Sequence, residues 1–449
     1  MAMPSVTTRV ALVAKLLSAA SQFYLVRSLI ILLGLDLYAS FALINSLSLW
    51  MSLGDLGLGI AVQNKLGSLP GNSNSTNISI ILQLISKLQL GLLIFFVPVL
   101  VIVVQIAIQV LDVYPGQHSS GFFLCLLLSN SMWAIVAILS VAFKVFYGLH
   151  RGYWANIYPA AGNCLSLTVL LLLMPFVGGL ESRYLLIAAV LVCSVPQVLV
   201  ALIAIIHLRF SPFSRENLSQ AGSSSGLVNG ENPGFNLRQI ARESLGFWVF
   251  SLMGLFILNS DYVVMSILFR PEEIVEYKIV GSLFAFVYAL CYASLMSLWP
   301  RSSRLVAVSN FPPIYKSIRQ NIAWGGAALS VFSVVLISGR TLIARFMSDG
   351  QVVISAGLVL SFAFLYLIRI SGDAFAVALA GAGRSGIFVA YMPVQLIISL
   401  VLQFQLGGLL GPMGVACGIA LSFLFTAFWI NPLALFKLRQ RCDVAKNMS

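Results

Sequence analysis

The chain has 449 residues, of which 59% are hydrophobic and only 9% are charged, with a formal net charge of +12. Soluble globular proteins carry about 25% charged residues, so this composition excludes a chain whose main solvent is water. Lys and Arg accumulate in the cytoplasmic loops of membrane proteins. This location accounts for the positive net charge without nucleic-acid binding, and we therefore predict no nucleic-acid partner. The sequence indicates an integral membrane protein without a soluble catalytic domain.

The apolar runs, each about as long as a bilayer core is thick, predict twelve transmembrane helices. The first six lie near residues 9–34, 37–62, 80–111, 121–147, 157–179 and 184–208. The second six lie near residues 242–268, 275–299, 321–347, 352–380, 387–408 and 412–436. An even number of crossings places both termini on one side of the membrane.

Basic residues predict which side that is. With cytoplasmic termini, most of the 26 Lys and Arg residues fall in cytoplasmic loops or helix ends, as the positive-inside rule requires. A polar, Gly- and Ser-rich stretch divides the helices into two sets of six and is typical of a flexible linker. We therefore predict an N-terminal lobe (1–208), a cytoplasmic linker (209–240), a C-terminal lobe (241–436) and a cytoplasmic tail (437–449).

The two halves show signs of an internal repeat. Residues 41–47 align with residues 277–283, and residues 148–151 after the fourth helix align with residues 381–384 after the tenth. Each half begins on the cytoplasmic side, so the repeats are parallel. The expected fold class is an all-α membrane protein with about twelve transmembrane helices in two parallel six-helix lobes around a central cavity. Such an architecture favours alternating-access transport over catalysis.

Polar side chains recur on one face of two predicted helices. In the second helix they are Asn45, Ser48, Ser52, Asp55, Gly59 and Gln63. In the fourth they are Asn130, Trp133, Ser140 and Lys144. Polar groups at membrane depth need protein or water partners, so each stripe lines either a helix–helix contact or an aqueous cavity.

Charged residues inside membrane helices cost about 2.5–3.5 kcal/mol or more at the helix centre and commonly serve function. Cations facing a cavity suit phosphate or pyrophosphate, which they bind by charge-assisted hydrogen bonds. The candidate substrate-binding residues are Lys15, Arg27, Asp55, Asp261, Lys278, Arg340, Arg369 and Asp373.

Local spacing leaves alternatives open for several of these residues. Arg369 and Asp373 are four residues apart, which suits either a static ion pair or a functional role. Asp261 has no cation nearby in sequence, although Lys278 or Arg340 could reach it from another helix. Lys15 either faces a cavity or extends its side chain toward the cytoplasmic surface. Six cysteines without a CxxC pair and three scattered histidines predict no metal site, and we expect no cofactor.

Three segments carry a resemblance to a known family. Residues 34–47 with Trp50, the sequence Asp-Leu-Gly-Leu-Gly at 55–59, and Asn-Ser-Asp-Tyr-Val-Val at 259–264 resemble the bacterial O-antigen and polysaccharide flippases of the multidrug/oligosaccharidyl-lipid/polysaccharide exporter superfamily. The resemblance implies movement of a polyprenyl-pyrophosphate-linked sugar repeat unit from the cytoplasmic to the outer leaflet of a bacterial inner membrane. It also implies a cationic cavity residue on the first helix, a role that Lys15 or Arg27 could fill. A polysaccharide polymerase and a chain-length regulator are the implied protein partners.

Two other functions are weighed against this one. A small-molecule or drug antiporter of the same superfamily typically holds its coupling cation at an acidic residue of the first helix, but no Asp or Glu precedes Asp36 here. A membrane glycan polymerase or ligase usually displays a sizeable outer loop, whereas every predicted outer loop is about ten residues or shorter. The sequence therefore predicts a transporter and not an enzyme.

Overall fold

A computed structural model describes residues 6–59, 62–63, 90–91, 94, 98, 102, 120–149, 151–177, 179–210, 248–249, 251–296, 298–384 and 386–448. Within these ranges the chain is helical and contains no strand. The third predicted helix (80–111) and nearly all of the predicted linker (209–240) lie outside the described residues.

The first half contains five helices among its described residues. They are α1 (Val6–Ser48), which continues into a 3-10 segment (Leu49–Asp55), α2 (Ser120–Leu139), α3 (Val141–Gly148), α4 (Gly152–Val177) and α5 (Ser182–Phe210).

The second half begins with helical residues 251–259, which lead into α6. The helices are α6 (Asp261–Leu268), α7 (Pro271–Met296), α8 (Leu298–Ala307), α9 (Pro312–Ser348), α10 (Ala356–Gly381), α11 (Gly386–Leu410), α12 (Pro412–Phe425) and α13 (Ala427–Met448).

Ten helical segments of the described residues are long and apolar enough to cross a membrane. One of them, Val13–Met51, covers most of the first two predicted helices (9–34 and 37–62), and Gly34 divides it with φ 71° and ψ 174°. Only glycine adopts this region of backbone conformation readily. The described spans thus correspond to eleven of the twelve predicted crossings, and the predicted fold class of an all-α integral membrane protein is confirmed.

The chain divides into two compact units. Unit 1 comprises residues 1–33 and 44–251, and unit 2 comprises residues 34–43 and 252–449. The start of the second predicted helix therefore belongs to unit 2, whereas its remainder belongs to unit 1. The lobe limits drawn from the sequence, 1–208 and 241–436, stay predictions.

Helix breaks account for most differences from the predicted boundaries. The second predicted helix (37–62) changes to 3-10 geometry after Ser48 and turns at Leu56 and Gly57, which have φ values of 49° and 73°. The twelfth (412–436) is interrupted at Thr426 and then continues as α13 to Met448. Charged residues interrupt the apolar pattern of α8, so hydropathy did not predict that helix.

Close glycine packing joins α11 to α12 in unit 2. A Cβ atom on Gly414 would lie 1.9 Å from the backbone oxygen of Leu406, and one on Gly418 would lie 2.6 Å from the backbone nitrogen of Gln403. The turn between the helices uses Gly411, with φ 71°, followed by Pro412 at the first helical position. Small residues let membrane helices approach this closely.

Candidate functional site

Four of the eight predicted site residues form two groups in unit 2, each joined by aromatic side chains. The Asp261 cluster consists of Asp261, Tyr262, Tyr277 and Lys278. The Arg369 cluster consists of Tyr288, Tyr292, Tyr366, Arg369 and Asp373.

The Asp261 cluster is built on the hairpin of α6 and α7. Asp261 lies seven residues before the end of α6 at Leu268, and Lys278 lies seven residues after the start of α7 at Pro271. At 1.5 Å per residue both lie about 10 Å from the hairpin turn, hence at similar depth. The Tyr277 hydroxyl donates to Asp261 Oδ2 at 2.9 Å.

Lys278 completes this cluster without a direct ion pair. Its Nζ lies 4.7 Å from the centroid of the Tyr262 ring, a cation–π contact, and is close enough to attract the Asp261 carboxylate. Asp261 is 6% exposed. Of the two cations that the sequence offered as partners for Asp261, the structure thus places Lys278 beside it.

A helix break positions the Asp261 carboxylate. The helical run 251–259 bends at Ser260, whose hydroxyl accepts from Gln403 Nε2 at 3.2 Å. The Asn259 side chain donates to the backbone oxygen of Leu255, and the backbone nitrogen of Tyr262 donates to Asp261 Oδ1 at 2.9 Å. The helix hydrogen bonds from Ser260 to Phe256 and from Val264 to Ser260 remain, so the bend is local, and the Asn259 and Asp261 side chains add backbone contacts on either side of it.

The Arg369 cluster lies between α7 and α10. Arg369 Nε donates to Asp373 Oδ2 at 3.3 Å, and the Tyr288 hydroxyl donates to the same carboxylate oxygen. The Arg369 guanidinium lies 4.5 Å from the Tyr288 ring centroid and 5.8 Å from that of Tyr366. The predicted ion pair between Arg369 and Asp373 is therefore present, and Tyr288 holds both partners.

Aromatic rings connect the two clusters. Consecutive ring centroids are 4.8–6.1 Å apart along the path Tyr262, Tyr277, Phe362, Phe284, Tyr366 and Tyr288. These separations are typical of aromatic pairs that stabilise each other beyond simple burial. The two clusters therefore belong to one packed polar and aromatic layer of α6, α7 and α10.

In unit 1, Lys15 lies beside a polar group that joins three helices. Ser18, one turn after Lys15, accepts from Asn163 Nδ2 at 2.5 Å, and Gln197 Nε2 donates to Asn163 Oδ1 at 2.9 Å. Lys15 itself is half-buried and makes no hydrogen bond or ion pair with the described residues.

Asp55 has a local structural role. Its Oδ1 accepts from the backbone nitrogen of Gly57 at 2.9 Å, and its Oδ2 accepts from that of Gly59 at 3.2 Å. Lys144 lies close enough to attract the carboxylate, and its Cγ would be 2.9 Å from a Cβ on Gly59. These contacts hold the turn at Leu56, and the expected part of Asp55 in substrate binding stays a prediction.

The two polar stripes meet each other where the structure describes them. The Ser48 hydroxyl lies within hydrogen-bond distance of Ser129 Oγ, at 2.7 Å, and of Asn130 Oδ1, at 3.1 Å. Together with the approach of Lys144 to Asp55, this contact favours the helix–helix alternative for these residues over the aqueous cavity.

Arg27 and Arg340 join neither cluster. Arg27 is half-buried on α1, and Arg340 is exposed on α9. Sequence reasoning did not assign Tyr277 and Tyr288 to the site, although these residues provide the hydroxyl donors to Asp261 and Asp373. A detectable signal was Tyr288 with Tyr292, one turn apart in the apolar second half of α7.

Comparison with known proteins gives the chain relatives along nearly its whole length, although no family model matches. It is 25% identical to a protein named putative O-antigen export protein from Yersinia pseudotuberculosis, over 96% of this chain and 94% of the relative. It is also 25% identical to a protein named putative O-antigen transporter from Salmonella typhi, over 93% of each chain.

Solved structures of transporters share the fold. The lipid II flippase MurJ in an inward closed conformation superposes with a TM-score of 0.64 at 12% identity, covering 98% of this chain and 90% of that one. An inward-facing multidrug resistance MATE family transporter of the MOP superfamily gives 0.61 at 13% identity, covering 98% and 99%. The curated relatives thus confirm the resemblance to the O-antigen and polysaccharide flippases, and the fold is shared with the solved structures.

Proposed function

We propose that the protein is a flippase that moves a polyprenyl-pyrophosphate-linked oligosaccharide repeat unit from the cytoplasmic to the outer leaflet by alternating access. The observation that carries the proposal is the match to proteins named for O-antigen export and transport across 93–96% of this chain. A match of that extent includes both units, and each unit contributes cations at membrane depth.

The chemistry of the described residues suits such a cargo. A pyrophosphate headgroup needs cations inside the membrane, where an unpaired charge is expensive. Lys15 in unit 1 and Lys278 and Arg369 in unit 2 supply such cations, and tyrosine rings surround the latter two. Aromatic faces beside cations suit a ligand that combines an anionic headgroup with sugar rings. These three cations are the residues proposed to contact the cargo.

The alternatives have less support. Of the described residues before Asp36, none is acidic, so the first helix lacks the carboxylate that typifies cation-coupled drug antiporters of the superfamily. The described connections that the proposed topology places outside are short: residues 179–181, 269–270 and 349–355 lie between consecutive helices. Loops of this size leave little room for the substrate-holding loop of a polymerase or ligase. The proposed location is a bacterial inner membrane with both termini in the cytoplasm.

Reconstitution into liposomes tests the proposal directly. Vesicles containing the purified protein and a fluorescent polyprenyl-pyrophosphate oligosaccharide are treated with a membrane-impermeant quencher, and the protected fraction is followed with time. We expect the protected fraction to fall only in vesicles that contain the protein. Protected fluorescence equal to that of protein-free vesicles contradicts the proposal. Ion-dependent export of small dyes by the same vesicles would indicate the antiporter, and formation of longer glycans would indicate the polymerase.

A further inference from the structure

We propose that the Nη edge of Arg369 is an anion subsite of unit 2, positioned by Asp373 and Tyr288. It takes a phosphate or carboxylate group of the transported lipid-linked glycan, and in this respect it rests on the proposed function.

The guanidinium group has unused donors on one edge. Arginine carries five N–H donors in a plane, and Nε alone is engaged here, with Asp373 Oδ2 at 3.3 Å. Neither Nη atom has a hydrogen-bond partner among the residues that the structure describes. Four donors therefore remain in a single plane, in the fork that matches a phosphate or carboxylate with two parallel hydrogen bonds.

Three contacts fix the direction of this fork. Asp373 holds the Nε edge, and the Tyr288 ring lies 4.5 Å from the guanidinium carbon. Tyr366 adds a longer ring contact at 5.8 Å. Tyr288 also donates its hydroxyl to Asp373, so one side chain orients both members of the pair. With the Nε edge and the ring face engaged, the Nη edge is the part of the group left for a ligand.

The position in the membrane makes free donors significant. Arg369 lies close to the midpoint of α10 (Ala356–Gly381), and 21% of its side chain is exposed. Donors without partners at this depth are unfavourable in hydrocarbon, so they indicate a polar ligand or an aqueous path. In the absence of an anion, Asp373 offsets the charge of Arg369. The membrane helix can therefore contain this arginine although its Nη edge has no partner.

A second pair in the chain shows that spacing alone does not produce this arrangement. Arg439 and Asp443 on α13 are also four residues apart, with Nε 3.5 Å from Oδ2, but their side chains are 46% and 52% exposed. This pair lies near the end of the last helix and has the exposure of an ordinary surface ion pair. Arg439 therefore provides a matched control for Arg369.

Anion binding to the full-length protein in lipid nanodiscs tests the subsite, with inorganic pyrophosphate and glucuronate as probes in isothermal titration calorimetry. Arg369→Lys keeps the charge but removes the planar fork, and we expect it to weaken binding of the recognised anion about tenfold or more. Tyr288→Phe keeps the ring but releases Asp373, and we expect a loss of about threefold. Arg439→Lys should change binding less than about twofold, as expected of an exposed pair.

The two probes separate the sources of the anion. A loss restricted to pyrophosphate assigns the subsite to the lipid headgroup, and a loss restricted to glucuronate assigns it to an acidic sugar. Equal losses indicate a subsite for either group. Unchanged affinity of Arg369→Lys for both anions, or no binding of either anion by the parent protein, overturns the inference. Arg369→Gln, checked by thermal unfolding in the same nanodiscs, replaces Arg369→Lys if the lysine variant does not fold.

The vesicle assay separates this inference from the proposed function. A protein that binds pyrophosphate through Arg369 but moves no glycan lipid contradicts the flippase and leaves an anion subsite. A protein that moves the lipid while Arg369→Lys binds both anions normally contradicts the subsite and leaves the flippase.

Discussion

Replacing Tyr277 by Phe tests whether the buried hydrogen bond to Asp261 holds the α6–α7 hairpin together. The change removes a hydroxyl that donates to Asp261 Oδ2 at 2.9 Å, and it leaves the ring in place 4.8 Å from Phe362. Tyr277 is 1% exposed and Asp261 is 6% exposed, so water does not easily replace the lost donor.

The expected loss can be bounded from two kinds of system. Hydrogen bonds to charged groups in soluble proteins contribute about 1.5–3 kcal/mol. Side-chain hydrogen bonds between membrane helices average about 0.6 kcal/mol, with a maximum of about 1.7. Because Asp261 keeps the backbone nitrogen of Tyr262 and the nearby ammonium of Lys278, we expect about 1–2 kcal/mol for Tyr277→Phe.

Tyr315→Phe is the matched control. The Tyr315 hydroxyl is buried and has no hydrogen-bond partner among the described residues, so its removal should be neutral or slightly stabilising. The free energy of unfolding is measured for both variants in detergent micelles by titration with a denaturing detergent. Equal effects of Tyr277→Phe and Tyr315→Phe would show that the hydrogen bond to Asp261 contributes nothing, and the reasoning would be refuted.

Three further substitutions test the backbone and the charges. Gly34→Ala should destabilise the folded protein by about 1–3 kcal/mol, because φ 71° and ψ 174° suit only glycine. Gly386→Ala is the control: a Cβ there meets open space and the residue has no positive φ, so stability should not change. Thermal unfolding of the two variants measures the difference. Gly414→Ala places a Cβ 1.9 Å from a backbone oxygen of the neighbouring helix and should abolish folded yield, measured by size-exclusion chromatography; a normal yield would contradict the close packing. Lys144→Met should destabilise the folded protein by about 1–3 kcal/mol, and by less when Asp55 is already replaced by Asn. A double-mutant cycle that shows no coupling energy between the two positions would contradict the attraction between Lys144 and Asp55.

Hydropathy predicted the membrane helices well, because a continuous apolar run is stable in the bilayer whatever its neighbouring helices are. The tenth helix, predicted at 352–380, is found as Ala356–Gly381. The Arg369–Asp373 pair was also predictable, since residues four apart share a helix face. Prediction failed where a side chain replaces helix hydrogen bonds, as at Asp55, since hydropathy contains no information about competing backbone contacts.

The hydrogen-bond partners of the charged residues could not be predicted from the sequence for a different reason. Tyr277 bonds to Asp261 across sixteen residues, and Tyr288 bonds to Asp373 across eighty-five. One sequence contains no signal for contacts between distant helices, because many aromatic side chains fit the same apolar pattern. The charges could therefore be named from the sequence, whereas the tyrosines that orient them required the structure.

The helix α9 is longer than the hydrocarbon core of a membrane is thick, which is useful for structure determination. Its 37 residues span about 55 Å at 1.5 Å per residue, against about 30 Å for a hydrocarbon core. Trp324 is 74% exposed, as expected of a side chain at the membrane–water interface, and Lys316 and Arg319 precede it. The first three turns thus present Lys316 and Arg319 on an exposed face, whereas Ile314 and Ile318 on another face of the same turns are buried. An antibody fragment raised against this exposed face would add mass at a fixed angle, which is what electron cryomicroscopy needs to align particles of so small a membrane protein.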